Sequence, residues 1–213
     1  RKRLRERLNL LEDEKIILFL SRIHPKKGLE HLISALSSLK ELPFTFVLAG
    51  SGDTEYEREV RSLLQKSGLK TRTMMPGFVE GETKNLLLQG SDIYALTSHS
   101  ENFGVAVLEA LAAGLPTIVT PGVALAEEIK NHQLGYVSEL NQQAITQTFR
   151  RCLHNLETAK QIGKRAQQFV LEQYTWKNNA DTLIRIYRDI LGIVASQPSR
   201  KSNAANSYIQ RSS

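Results

Sequence analysis

Two glutamates, Glu101 and Glu109, bracket the stretch Glu-Asn-Phe-Gly-Val-Ala-Val-Leu-Glu. Asn102 and Gly104 permit a turn, and the apolar residues after them suit a helix. The spacing therefore predicts one carboxylate on a loop at a helix entrance and the other about one turn inside the helix. Helix entrances collect anions, because free backbone N–H groups and the positive end of the macrodipole lie there. A carboxylate beside such a site suits hydroxyl groups better than phosphate. Diphosphate next to hydroxyls describes a nucleotide-sugar.

Positive charge for a diphosphate is available in Ser21-Arg22-Ile23-His24-Pro25-Lys26-Lys27-Gly28. Arg22 supplies a planar fork and Lys27 a point charge. Cations are unfavourable at a helix entrance, so three of them there call for a partner. The alternative is solvated helix-entry charge. His24 reads as a turn residue rather than a base.

The remaining loops say less. Gly50-Ser51-Gly52-Asp53 lacks the third glycine of the dinucleotide fingerprint and is followed by no P-loop lysine. A tight turn explains it as well as ligand contact does. Gly77-Phe78-Val79-Glu80 suits either a place under a base or an ordinary surface crossing. Thr120-Pro121-Gly122-Val123 can line a pocket through its backbone. Glu127 and Glu128 read as a solvated face, with an approach to the site as the alternative for either, and His99 reads as a structural polar residue, with ligand contact as the alternative. No His/Cys grouping has metal-ligand spacing, and there is no Asp-x-Asp. The expectation is a site without metal, where Arg22 and Lys27 carry the charge stabilisation.

These residues need a scaffold, and the hydrophobic pattern supplies one. Short apolar runs at 16–20, 44–49, 71–75, 92–96, 117–120 and 135–138 read as strands. Helical periods fill 27–40, 54–67, 82–90, 104–113 and 124–131 between them. Such alternation predicts an α/β fold: a doubly wound, Rossmann-like parallel sheet with helices on both faces. From 142 to 193 the pattern is helical only, and the last helix has a broad apolar side. Residues 194–213 read as a disordered tail. Doubly wound sheets bind ligands at the carboxyl ends of their strands, and every loop above lies there.

Bulk properties exclude other classes. The chain has 213 residues, 41% of them hydrophobic and 23% charged, as in ordinary globular domains. No apolar run approaches the roughly 20 residues that span a bilayer. The basic opening is followed by no apolar stretch of signal length. One cysteine, Cys152, excludes an internal disulfide. Of the net charge of +6, residues 1–7 carry +4 and residues 195–213 carry +3, leaving the body at −1. A nucleic-acid-binding face would concentrate charge on the folded body, so no nucleic acid is expected. The flanks read as solvated ends, with weak peripheral contact to anionic lipid as the alternative.

Taken together, the segments Ser-Arg-Ile-His-Pro-Lys-Lys-Gly-Leu-Glu-His-Leu-Ile-Ser-Ala-Leu, Leu-Ala-Gly-Ser-Gly-Asp, Pro-Gly-Phe-Val and Ser-Glu-Asn-Phe-Gly-Val-Ala-Val-Leu-Glu-Ala-Leu-Ala-Ala-Gly-Leu-Pro-Thr-Ile-Val-Thr resemble family 4 of the retaining glycosyltransferases, also called group 1. The resemblance runs over about residues 14–193 and includes Tyr-Thr-Trp before the last helix. It implies the C-terminal, donor-binding half of a GT-B architecture, with residues 1–13 as the end of the connection to an N-terminal domain that holds the acceptor. It implies that Arg22 and Lys27 hold the diphosphate and that Glu101 binds the donor sugar. It places Gly50 near the nucleotide, Val79 by the base, and Phe103, Gly104 and Val105 near sugar and phosphate. It gives the ribose to Glu109. The family usually has Glu-Gly or Glu-Ser where this chain has Glu101-Asn102, a departure that bears on donor choice.

The implied activity is transfer of a sugar from a nucleoside diphosphate, with UDP-glucose as the first donor, to a carbohydrate or lipid-linked acceptor. The implied location is cytoplasmic, at the inner face of a membrane where the family builds polysaccharide or glycolipid. The other readings are a nucleotide-sugar-binding module without transfer activity and a nucleotide-sugar 2-epimerase. No motif for the elimination chemistry of the epimerase is visible.

Overall fold

The computed structural model describes residues 1–11 and 14–192. The chain divides into two compact units, Arg1–Gln173 and Tyr174–Ser213. Within the first lie α1 (Lys2–Leu8), β1 (Lys15–Leu20), α2 (Leu29–Ser37), β2 (Phe44–Ala49), α3 (Thr54–Lys66), β3 (Thr73–Gly77), α4 (Gly81–Gly90), β4 (Ile93–Leu96), α5 (Val105–Ala112), β5 (Thr117–Val119), α6 (Ala126–Asn131), β6 (Tyr136–Val137), α7 (Gln142–His154) and α8 (Leu156–Gln173). The six strands form one parallel sheet in the order β3-β2-β1-β4-β5-β6. Helices cover both faces. The central strands β1, β2 and β4 are largely apolar and buried almost throughout, as strands covered on both faces require.

Three local departures from the sequence pattern have physical causes. The helix expected from residue 27 begins at Leu29, because Gly28 takes a left-handed conformation (φ 60°) and ends a separate 3-10 turn, Pro25–Lys27. Lys26 and Lys27 thus lie in the last turn of that 3-10 segment, outside the first turn of α2. The third strand, expected to stop before Pro76-Gly77, includes both residues. It is an edge strand, where proline's missing donor breaks no ladder bond. The N-terminal basic flank is not merely solvated. Leu4 of α1 is buried against Gly90, where a Cβ would lie 2.5 Å from the leucine side chain. Arg1 and Arg5 pair with Asp92, and Asp92 also accepts the Ile16 N–H at 2.9 Å.

In the second unit, α9 (Trp176–Ile190) is capped by Thr175, whose hydroxyl accepts the Asn178 N–H at 3.0 Å. Its apolar residues Trp176, Leu183, Ile184, Tyr187 and Ile190 are all exposed. The tail expected over 194–213 lies outside the described residues.

Candidate functional site

In this strand order the winding reverses between β1 and β4, which lie side by side. A crevice opens outside the carboxyl ends of such a strand pair. The loops that follow β1 and β4 are those carrying Lys27 and Glu101.

The two loops are clamped together by backbone contacts. The Thr97 hydroxyl donates to the carbonyls of Lys27 and Gly28 at 3.2 and 3.0 Å. The His99 N–H donates to the Lys26 carbonyl at 2.8 Å. Gly28 sits so close that a Cβ there would lie 2.2 Å from the Thr97 carbonyl oxygen. His24 caps the 3-10 turn by accepting the Lys26 N–H on Nδ1 at 3.1 Å, the turn role its sequence context indicated. This frame buries Lys27 and points its ammonium at Glu101, with which it forms an ion pair. The Glu101 backbone is fixed from its other side. Its N–H donates to the Gly122 carbonyl at 2.8 Å, and its carbonyl accepts the Ala124 N–H at 3.1 Å.

Beyond this loop α5 starts. Gly104 (φ 80°) is its N-cap and offers no side-chain hydrogen bond to the first turn. The entrance thus keeps N–H groups for an external acceptor. Glu109 lies one turn inside and pairs with Lys84 of α4 at 2.7 Å, both side chains about one-third exposed. The far end of α5 is anchored. Gln167 donates to the Ala112 carbonyl at 2.9 Å, and Gly163 of α8 packs against the Gly114 carbonyl, 2.2 Å from where a Cβ would be. Beneath the site, burial raises the pKa of the Tyr94 phenol, and the charges of Glu101 and Glu109 raise it further. The phenol stays neutral and donates to the Leu20 carbonyl at 3.3 Å.

The other expected residues lie on neighbouring loops. Gly50 (φ 142°) follows β2, and a Cβ there would lie 1.9 Å from the Ser21 carbonyl oxygen, so only glycine fits. Val79, between β3 and α4, is buried. Phe103 and Val105 are exposed beside Gly104. Arg22 is exposed, and no described residue pairs with its guanidinium.

Lys84 and the cluster Glu30–His31–His99 went unnoticed in the sequence. Lys84 lies 25 residues from Glu109, and nothing in the pattern of α4 marks it. The sequence shows no metal-ligand spacing for the cluster, because its members come from α2 and from the loop after β4. A groove of about 1000 Å³ lies elsewhere, beside β6. Two of its cations are engaged: Arg151 stacks over Tyr136 at 5.2 Å and Arg165 donates to the Gln133 carbonyl at 3.1 Å.

A doubly wound sheet with a lysine, two carboxylates and an uncapped helix entrance at its switch point defines a Rossmann-like ligand-binding domain. The chain belongs to the group 1 glycosyl transferases, whose family model matches residues 1–169. It is 33% identical over 186 residues to an uncharacterized glycosyltransferase of Methanocaldococcus jannaschii, covering 86% of this chain and 47% of that protein. Its fold is similar to that of sucrose-phosphate synthase from Thermosynechococcus elongatus, with a TM-score of 0.80 and 24% identity over 90% of this chain and 49% of that one. It is similar also to Anabaena HepE solved with UDP-glucose, with a TM-score of 0.78 and 24% identity over 86% of this chain and 52% of that one. The chain thus spans about half the length of these relatives. No helix among the described residues is long and apolar enough to cross a membrane.

Proposed function

We propose that this domain binds the donor of a retaining glycosyltransferase and that the whole protein moves a hexose from a UDP-sugar, UDP-glucose first among them, to an acceptor hydroxyl. The observation that carries the reading is the Lys27–Glu101 pair beside the uncapped entrance of α5, at the switch point of the sheet. The similarity to HepE, solved with UDP-glucose, supports the donor choice.

In this reading the diphosphate lies on the α5 entrance, between Lys27 and the guanidinium of Arg22. Glu101 accepts hydrogen bonds from the sugar hydroxyls. Glu109 accepts from the ribose, with Lys84 fixing its orientation. Gly50 and Val79 flank the nucleotide, and Phe103, Gly104 and Val105 bring backbone to the sugar. The bond from the anomeric carbon to the diphosphate oxygen breaks as the acceptor oxygen bonds to the same face of that carbon, and the proton of the acceptor hydroxyl passes to the departing diphosphate. Lys27, Arg22 and the α5 amides stabilise the charge that develops on the departing diphosphate, without a metal ion. The acceptor, a carbohydrate or a lipid-linked sugar, is held by a further domain that precedes this one, as the roughly twofold length of the relatives supports. Work at the inner face of a membrane suits such an acceptor.

The test is calorimetry with UDP followed by an assay of UDP release from UDP-glucose and acceptor, on the full-length protein. Binding followed by turnover is expected. Binding without turnover would leave a nucleotide-sugar-binding module and end the enzyme reading.

A further inference from the structure

Glu30, His31 and His99 converge although they come from separate elements. Glu30 and His31 stand in the first turn of α2, and His99 stands on the loop after β4. The Glu30 carboxylate oxygen lies 3.1 Å from His99 Nε2 and 3.6 Å from His31 Nε2. One ligand atom from each of the three lies within 4.8 Å of the others. The two imidazole rings are 5.5 Å apart between centroids.

We propose that these three side chains form a binding site for a zinc-class divalent ion, with a fourth position open to water. Two imidazole nitrogens and one carboxylate are a donor set that suits tetrahedral zinc. With metal–ligand distances of about 2.0–2.1 Å, tetrahedral geometry separates the ligand atoms by roughly 3.3 Å. The separations of 3.1 and 3.6 Å already match that value. A ligand nitrogen of each imidazole lies within 4.8 Å of the other. All three side chains are between 32% and 47% exposed, so an ion reaches them without unfolding anything.

The frame beneath is rigid. The His99 N–H bonded to the Lys26 carbonyl at 2.8 Å, the Thr97 hydroxyl bonded to Lys27 and Gly28, and the tight Gly28–Thr97 approach fix the β4 loop against the start of α2. The ion adds a fourth clamp between those two elements. Its ligands are not among the residues assigned to donor binding, and the ion stabilises the domain by joining the two elements. The site stands whether or not the donor reading does.

The experiment is zinc titration of tag-free, chelator-stripped full-length protein against a chromophoric competitor, with visible absorption of the cobalt-substituted form. The expected result is about one equivalent per chain, tetrahedral cobalt bands, and a melting temperature raised by about 5 °C at saturation. His31→Ala and His99→Ala should each weaken binding by about 100-fold or more, and the isosteric Glu30→Gln by about 10-fold or more, with far-UV circular dichroism unchanged. His132→Ala, distant from the cluster in sequence, should change nothing. Absence of binding by the wild type, or binding that survives His31→Ala and His99→Ala, would overturn the proposal.

Discussion

The two glutamates eight residues apart each have a lysine partner, and the two pairs differ in kind. Lys27–Glu101 is sunk in the crevice between the β1 and β4 loops, with the lysine side chain 8% exposed and the glutamate 20%. Lys84–Glu109 joins two helix faces, with the side chains 31% and 33% exposed. Lys27 is placed by a glycine that cannot be replaced and by three hydrogen bonds to the backbone around it. Lys84 stands on a helix whose N-terminal glycine, Gly81, has open space around it: a Cβ there would meet nothing within 4 Å. A buried charge without its partner is costly, whereas a half-exposed one is rescued by water. The first pair therefore belongs to the frame and, in the proposed reading, to the chemistry as well. The second is expendable for folding and, in the proposed reading, orients a ligand contact.

The largest effect should come from Lys27→Ala in the full-length enzyme. It removes the charge proposed to face the leaving diphosphate and strands Glu101, so turnover should fall by about 1000-fold, with stability lowered by about 1–3 kcal/mol. Lys84→Ala should leave stability within about 0.5 kcal/mol and weaken UDP binding by about 10-fold. UDP-release kinetics and urea unfolding measure both, and equal effects of the two variants would erase the distinction between the pairs.

A second contrast compares the glycines beneath the pairs. Gly28→Ala forces a Cβ into the Thr97 carbonyl and should cost about 3 kcal/mol or more. Gly81→Ala pays only for a left-handed φ of 53°, about 1 kcal/mol. Thermal unfolding of the two variants reads the difference directly.

Next in size is Glu101→Gln against Glu109→Gln. The first should lower kcat by about 100-fold, and the second should raise KM by about 10-fold with kcat little changed. The smallest effect tests the edge of the buried pair. The Ser98 hydroxyl is buried with no partner among the described residues. Ser98→Ala should therefore be neutral or slightly stabilising by urea unfolding. A clear loss of UDP affinity in that variant would add Ser98 to the donor contacts.

Much of this was legible in the chain. Apolar runs such as residues 16–20 and 44–49 announce strands buried on both faces, and their alternation with helical periods dictates the doubly wound sheet. Glu101 on a loop and Glu109 one turn into a helix follow from local spacing alone. Partnership was not legible. Lys27 and Glu101 are 74 residues apart, and their meeting depends on which strands lie side by side, a property of the whole sheet. The sequence assigned the lysine to phosphate and the glutamate to sugar without showing that they neutralise each other. The start of α2 slipped for a related reason, because Gly28 is left-handed to fit against Thr97 on a distant strand end.

Lys27, paired with Glu101 in the free domain, is proposed to meet a nucleoside diphosphate in the crevice between β1 and β4. Calorimetric titration of the full-length wild type and Lys27→Ala with UDP tests it most directly. Binding by the wild type and an affinity lowered by about 100-fold in the variant are expected, the size that loss of a charged, desolvated contact gives. Equal affinity in the two proteins would contradict it.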